Sequence, residues 1–259
     1  MKFGHLFAAT TASTQPSVRE QFLDYKLLKR VLKDIPVKQG TEGTSASVKD
    51  LPHAEKVFVQ ELTNQLRKFN EFFMNREEEI VMKEGHLVQL FEQNEERIAS
   101  AKSAGSYTNE CLATDTQMCQ KFANFHGELV LLEHWTNLNY AALVKILKKH
   151  DKRSSLALRS PFLRNVLQQP FYSTEVLTAM IGRAEQRFRA IEERLRAFLG
   201  DGFAPAQLGG APEVNLRISS DGSEISDDDD AYSIEDTKMA LNCWQGLDQS
   251  EALQNPLGL

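Results

Sequence analysis

Two apolar seams of helical period constrain this chain more than any other feature. Phe58, Leu62, Leu66, Phe69, Phe73, Ile80, Leu87 and Phe91 recur at steps of three, four and seven. Met118, Phe122, Phe125, Leu129 and Leu132 step by four and three in the same way. A strand would need a period of two, so both stretches are amphipathic helices with near-heptad seams. The pattern predicts one long helix over about 52–101 and a second over about 109–152, interrupted at Gly105-Ser106. Two long helices joined by so short a break must fold back as an antiparallel pair to bury their seams.

Shorter elements flank the pair. Residues 2–12 form a short apolar helix that ends in small and polar residues. Ser17 with Glu20 three positions on has the form of a capping box. It predicts a helix from 17 to about Ile35, where Pro36 stops it. Residues 36–51 are rich in Gly, Ser and Thr and read as a flexible loop. Phe162 to Gln168 reads as a short helix ended by Pro170, and Val176 to Leu199 as a last helix stopped by Gly200 and Gly202. The fold class is all-α: a bundle of two long helices with an N-terminal helical hairpin and two C-terminal helices.

From Asp201 the character changes. Residues 201–259 carry 12 acidic side chains against Arg217 and Lys238 alone, within a chain of 36 acidic and 30 basic residues. The run Ser219 to Asp230 has too little apolar content to fold alone. The expected division is a folded domain over 1–199 and an acidic tail over 200–259. The body without its tail is mildly basic.

Several function classes find no support. No run of about 18 apolar residues exists to cross a membrane. The start MKFGHLFAATTAS is interrupted by Gly4 and reads as retained. Cys111, Cys119 and Cys243 make no CxxC and no metal spacing, and the six histidines form no HExxH. No glycine-rich phosphate loop, nucleophile elbow or kinase motif appears, so neither an enzyme nor a cofactor is expected.

The charge pattern points elsewhere. Lys145, Lys148, Lys149 and Lys152 stand at i, i+3, i+4, i+7, which on a helix gathers four ammonium groups within an arc of roughly 100°. Leu143, Ile146 and Leu147 take the opposite side. Lys26, Lys29, Arg30 and Lys33 repeat the same spacing. Two such stripes could oppose each other across a polyanion. Phosphate suits them, because charge-assisted hydrogen bonds are the strong kind and lysines act as point charges.

Together the quoted motifs resemble the SPX domain: Met1-Lys2-Phe3-Gly4, Tyr25-x-x-x-Lys29, and Asn139-Tyr140 followed by Lys145 to Lys152. Phe69-Asn70-x-Phe72-Phe73 and Pro161 to Phe171 resemble the short stand-alone SPX proteins of plants. The resemblance covers about residues 1–198. It implies an SPX-type helical bundle that recognises an inositol pyrophosphate or inositol hexakisphosphate and so reports phosphate status. It further implies a phosphate-binding cluster of Tyr25, Lys29 and Lys145, and a lysine surface cluster of Lys148, Lys149 and Lys152, with Lys2 as an added donor. His5 stands where the family commonly has a lysine.

The stand-alone type resembles inhibitors of the MYB coiled-coil transcription factors of phosphate starvation, acting in nucleus and cytoplasm without touching nucleic acid or membrane. An alternative is a regulatory subunit of a phosphate transporter or a polyphosphate-handling enzyme on a separate chain. A direct nucleic-acid binder is the third reading. The stripes lack the interleaved exposed aromatics that single-strand binding uses.

Overall fold

The computed structural model describes residues 3–12, 14, 16–37, 52–103 and 107–200. Among them the chain is all-α, with no strand: α1 (Phe3–Ala12), α2 (Pro16–Arg19), α3 (Tyr25–Lys33), α4 (His53–Ser103), α5 (Asn109–Arg153), α6 (Arg159–Val166), a 3-10 turn at Pro170–Tyr172, and α7 (Glu175–Leu199). The two long helices fall within two residues of the spans that their seams predict. The break at Gly105-Ser106, most of the 36–51 loop, Lys2 and the acidic tail lie outside the described residues.

The chain packs as two compact units, and α4 and α5 contribute to both. The first takes residues up to 75 and 134–174. Its centre is Trp135, 1% exposed, ringed by Phe22 at 6.4 Å, Phe69 at 5.6 Å, Phe72 at 4.8 Å and Phe171 at 6.4 Å between centroids. The seam residues Phe58, Leu62, Leu66, Phe69 and Phe73 are all buried here.

The second unit takes 76–133 and 175–200. Phe91 meets Phe122 edge-on at 5.8 Å, and Ile80, Leu87, Phe125, Leu129 and Leu132 are buried. α7 adds Leu177, Met180, Ala184, Ile191 and Leu195, a stripe at helical spacing. Arg194 holds Asp115 from two nitrogens, at 2.9 and 3.1 Å, and Arg183 holds Glu84 likewise, at 2.7 Å twice. Asp115 also accepts from Asn94 at 2.6 Å and from Tyr107 at 2.8 Å. Burial, and then that bond, push the Tyr107 phenol well above its usual pKa.

One expectation is corrected. The predicted helix over 17–35 is two helices, α2 and α3, separated by residues 20–24. Ser17 lies inside α2, so it does not cap the longer helix. Asp24 caps α3 instead, its carboxylate accepting from Leu27 N at 2.8 Å. The physical reason is burial. Val18, Phe22, Leu23, Tyr25 and Leu28 are all buried, and in one continuous helix they would spread over too wide an arc to share a face. The break turns Phe22 and Leu23 inward together. Other elements then satisfy its backbone: Lys68 Nζ donates to Glu20 O at 3.0 Å and Phe22 O at 2.7 Å, Leu23 N donates to Asn139 at 2.9 Å, and Asp24 N donates to Gln65 at 3.1 Å.

Candidate functional site

The chain break that starts α3 also aims Tyr25. Its ring is wedged between Phe3 at 5.4 Å and Phe7 at 6.0 Å on α1. Lys149 Nζ lies over the ring, 5.5 Å from its centroid. A Cβ built on Gly4 would come within 3.1 Å of Tyr25 Cε1, so glycine lets α1 approach the ring closely. α1, α3 and α5 thus meet at one side chain. The Tyr25 hydroxyl is buried and has no hydrogen-bond partner among the described residues. Burial pushes its pKa up to about 12, so it is a proton donor throughout the physiological range.

The basic residues lie around this point. Lys29 follows Tyr25 by one turn on the same edge of α3 and is exposed, and no described carboxylate pairs with it. Lys145 precedes Lys149 by one turn of α5 and is half-buried, as is Lys148, while Lys149 and Lys152 are exposed. The structure therefore brings Tyr25 and Lys149 into direct contact, with Lys29 and Lys145 on the adjoining turns. Lys148 and Lys152 continue the solvent-facing arc of α5. Lys26, Arg30 and Lys33 are exposed along α3. Leu143, Ile146 and Leu147 are fully buried, as the stripe requires.

A buried polar network holds the end of α5 that carries these lysines. His150 is fully buried. Its Nε2 faces Glu55 Oε2 at 2.7 Å and its Nδ1 faces Asp151 Oδ1 at 3.0 Å. Phe58 stacks on the imidazole at 4.8 Å. Ser154 donates from Oγ to the other Glu55 oxygen. Asp151 reaches on to Leu158 N at 3.0 Å and Arg159 N at 3.1 Å, tying down the start of α6. The lysine-bearing turn is thus anchored to α4 from inside.

Sequence reasoning missed this supporting layer: Glu55, Gln65, Lys68, His150 and Arg153, and the role of Asn139. A signal existed for two of them. Asn139 and His150 fall in register with the apolar stripe Leu143, Ile146 and Leu147. A polar residue on a core-facing stripe needs a built partner. Among the described residues no group of three or more His, Cys, Asp or Glu side chains is placed so that it could hold a metal ion, and no described helix is long and apolar enough to cross a membrane.

A family model for the SPX domain matches residues 89–166. SPX domain-containing protein 1 of Arabidopsis thaliana is 37% identical over 194 residues, covering 71% of this chain and 69% of that protein. This chain belongs to the SPX domain-containing proteins. SPX domain-containing protein 4 of Oryza sativa subsp. japonica is 30% identical over 271 residues, covering all of this chain and 82% of the relative. The SPX fold is also met in a solved structure at a TM-score of 0.53 and 15% identity, covering 74% of this chain and 99% of that one. That structure is the SPX domain of a Chaetomium thermophilum glycerophosphodiester phosphodiesterase, in complex with inositol hexakisphosphate.

Proposed function

We propose that this SPX protein binds an inositol polyphosphate, inositol hexakisphosphate or a pyrophosphorylated form, and acts as a non-enzymatic sensor of cellular phosphate status. Tyr25, Lys29 and Lys145 would hold one phosphate group, and Lys148, Lys149 and Lys152 would hold its neighbours. Lys2 would add a donor. The observation that carries this reading is the Tyr25 hydroxyl, buried with no hydrogen-bond partner among the described residues, on a ring that lies under the Lys149 ammonium where two basic helices meet. Buried polar groups ordinarily have partners. A hydroxyl held ready beside cations fits an anion with many acceptor oxygens.

The downstream step rests on the resemblance to stand-alone plant SPX proteins. Ligand-loaded protein would bind a MYB coiled-coil transcription factor of phosphate starvation and hold it off its DNA, in nucleus and cytoplasm.

The test is calorimetric titration with inositol hexakisphosphate and a pyrophosphorylated form. Charge-assisted hydrogen bonds are worth roughly 1.5–3 kcal/mol each. Lys145→Ala, Lys148→Ala and Lys149→Ala should therefore each weaken binding by about tenfold or more. Unchanged affinity in all three would remove the site from this face. For the partner, co-elution with a MYB coiled coil should require the ligand. A gel shift by the SPX protein alone at physiological salt would favour direct nucleic-acid binding instead.

A further inference from the structure

We propose that Arg153 is a positioning residue for this site. It braces the end of α3 against the end of α5, so the two basic stripes stand in register before any anion arrives. The inference rests on the anion-binding reading above and assigns a role to a residue outside the lysine pattern.

α3 is held differently at its two ends. At its start, Leu23 N and Asp24 N are taken up by Asn139 and Gln65. At its end, Asp34 N bonds back to Val31 O at 3.1 Å and Ile35 N to Leu32 O at 3.3 Å. Pro36 has no N–H to offer. The carbonyls of Lys33 and Ile35 receive no backbone donor among the described residues. Arg153 supplies both, Nε donating to Ile35 O at 2.6 Å and Nη2 to Lys33 O at 2.8 Å. Its positive fork sits at the negative end of the helix dipole. A lysine would bring the charge but not the two fixed donors.

The charges explain why a brace is needed. Lys26, Lys29, Arg30 and Lys33 line the exposed side of α3. α3 meets the lysine-bearing end of α5 at Lys149 and Arg153, so positive charge gathers on both sides of that contact. Like charges repel within a screening length of about 8 Å at physiological salt. Leu28, Leu32 and Ile35 are buried and hold α3 to its unit. Apolar contact is non-directional, however, and fixes distance better than register. Lys149 over Tyr25 is one point of contact between α3 and α5. Arg153 is a second, two turns further along α3, and two points set a direction. A site held in its bound geometry loses less on binding.

The experiment uses the full chain, inositol hexakisphosphate as probe, and the variants Arg153→Ala and Arg153→Lys. Calorimetry at several salt concentrations is combined with amide exchange of residues 31–35 without ligand. Arg153→Ala should weaken binding about tenfold, speed exchange at Asp34 and Ile35, and leave the salt dependence of binding as in the wild type, because no phosphate contact is lost. Arg153→Lys should recover part of the affinity. Wild-type affinity in Arg153→Ala would overturn the proposal. So would a weaker affinity with a shallower salt dependence, which would make Arg153 a direct phosphate contact. If the wild type itself does not bind the probe, the ligand reading fails. Exchange then decides the brace alone: faster exchange in Arg153→Ala supports it and unchanged exchange ends it.

Discussion

Lys149 sets its ammonium 5.5 Å from the centre of the Tyr25 ring, and the hydroxyl of that ring is buried with no partner among the described residues. The two residues lie more than a hundred positions apart in the chain. Their meeting brings α3 and α5 together at one side chain, and on the proposed reading the ring serves the fold and the hydroxyl the ligand, a separation of roles.

Tyr25→Phe tests that separation. The variant keeps the ring among Phe3, Phe7 and Lys149 and deletes one hydroxyl. Affinity for inositol hexakisphosphate should fall about tenfold, because a hydrogen bond to a charged phosphate is lost. Stability without ligand should hold or rise slightly, because the lost group had no partner. Denaturant midpoints and calorimetry on the same samples read both. Lower stability with unchanged affinity would make Tyr25 a packing residue only.

The same phenol has a pH signature. Its pKa is raised from 10.0 to about 12 by burial, so the folded state keeps its proton longer than the unfolded chain does. This contribution to stability is complete below pH 10 and is lost as pH rises from 10 towards about 12. Denaturation midpoints followed from pH 9 to 12 should fall more steeply for the wild type than for Tyr25→Phe. Parallel curves would show that Tyr25 titrates as an ordinary exposed phenol.

Gly4→Ala probes the close approach of α1. Alanine favours a helix over glycine by roughly 1 kcal/mol, but its methyl would lie 3.1 Å from Tyr25 Cε1. The ring is already packed by Phe3 and Phe7 with Lys149 over it, so it must give by a few tenths of an ångström, and that shift would move its hydroxyl. The two effects should nearly cancel in melting temperature, while ligand affinity drops several-fold. A higher melting temperature with unchanged affinity would mean that the ring moves without consequence.

Glu55→Ala removes the acceptor for both His150 Nε2 and Ser154 Oγ, each buried. Leaving two buried polar groups unpaired should cost about 3 kcal/mol, read by urea denaturation. Ligand affinity should fall with it, because the last turns of α5 carry Lys145 to Lys152. Lys152→Ala, on the exposed side, should change stability by no more than about 0.5 kcal/mol.

The acidic stretch 221–236 holds Asp221, Glu224, Asp227, Asp228, Asp229, Asp230, Glu235 and Asp236. It lies outside the described residues, and the prediction rests on charge alone. Tethered near the lysine stripes of α3 and α5, it should compete weakly with a polyanionic ligand, and less as salt rises. A chain ending at Gly200 should bind inositol hexakisphosphate a few-fold tighter at low salt, with a smaller gain at physiological salt. Phosphorylation of Ser219, Ser220, Ser223 or Ser226 should strengthen the competition. Equal affinities at both salt concentrations would leave the tail no such role.

The sequence by itself determined the helices and their faces. The seams from Phe58 to Phe91 and from Met118 to Leu132 repeat a local period, and a period is written residue by residue along the chain. The lysine stripe of α5 was legible for the same reason, since Leu143, Ile146 and Leu147 dictate which way Lys145, Lys148, Lys149 and Lys152 must point. Only the tertiary structure decided where helices break and what crosses between them. The interruption at residues 20–24 contradicts the local helical pattern, and it persists because Lys68, Gln65 and Asn139, distant in sequence, supply the hydrogen bonds that a continuous helix would have made itself. Arg153 on the carbonyls of Lys33 and Ile35, and Glu55 on His150, are likewise pairings across about a hundred residues. Charge, spacing and period carry no record of such partners, because each bond depends on the three-dimensional position of a group that the chain reaches by another route.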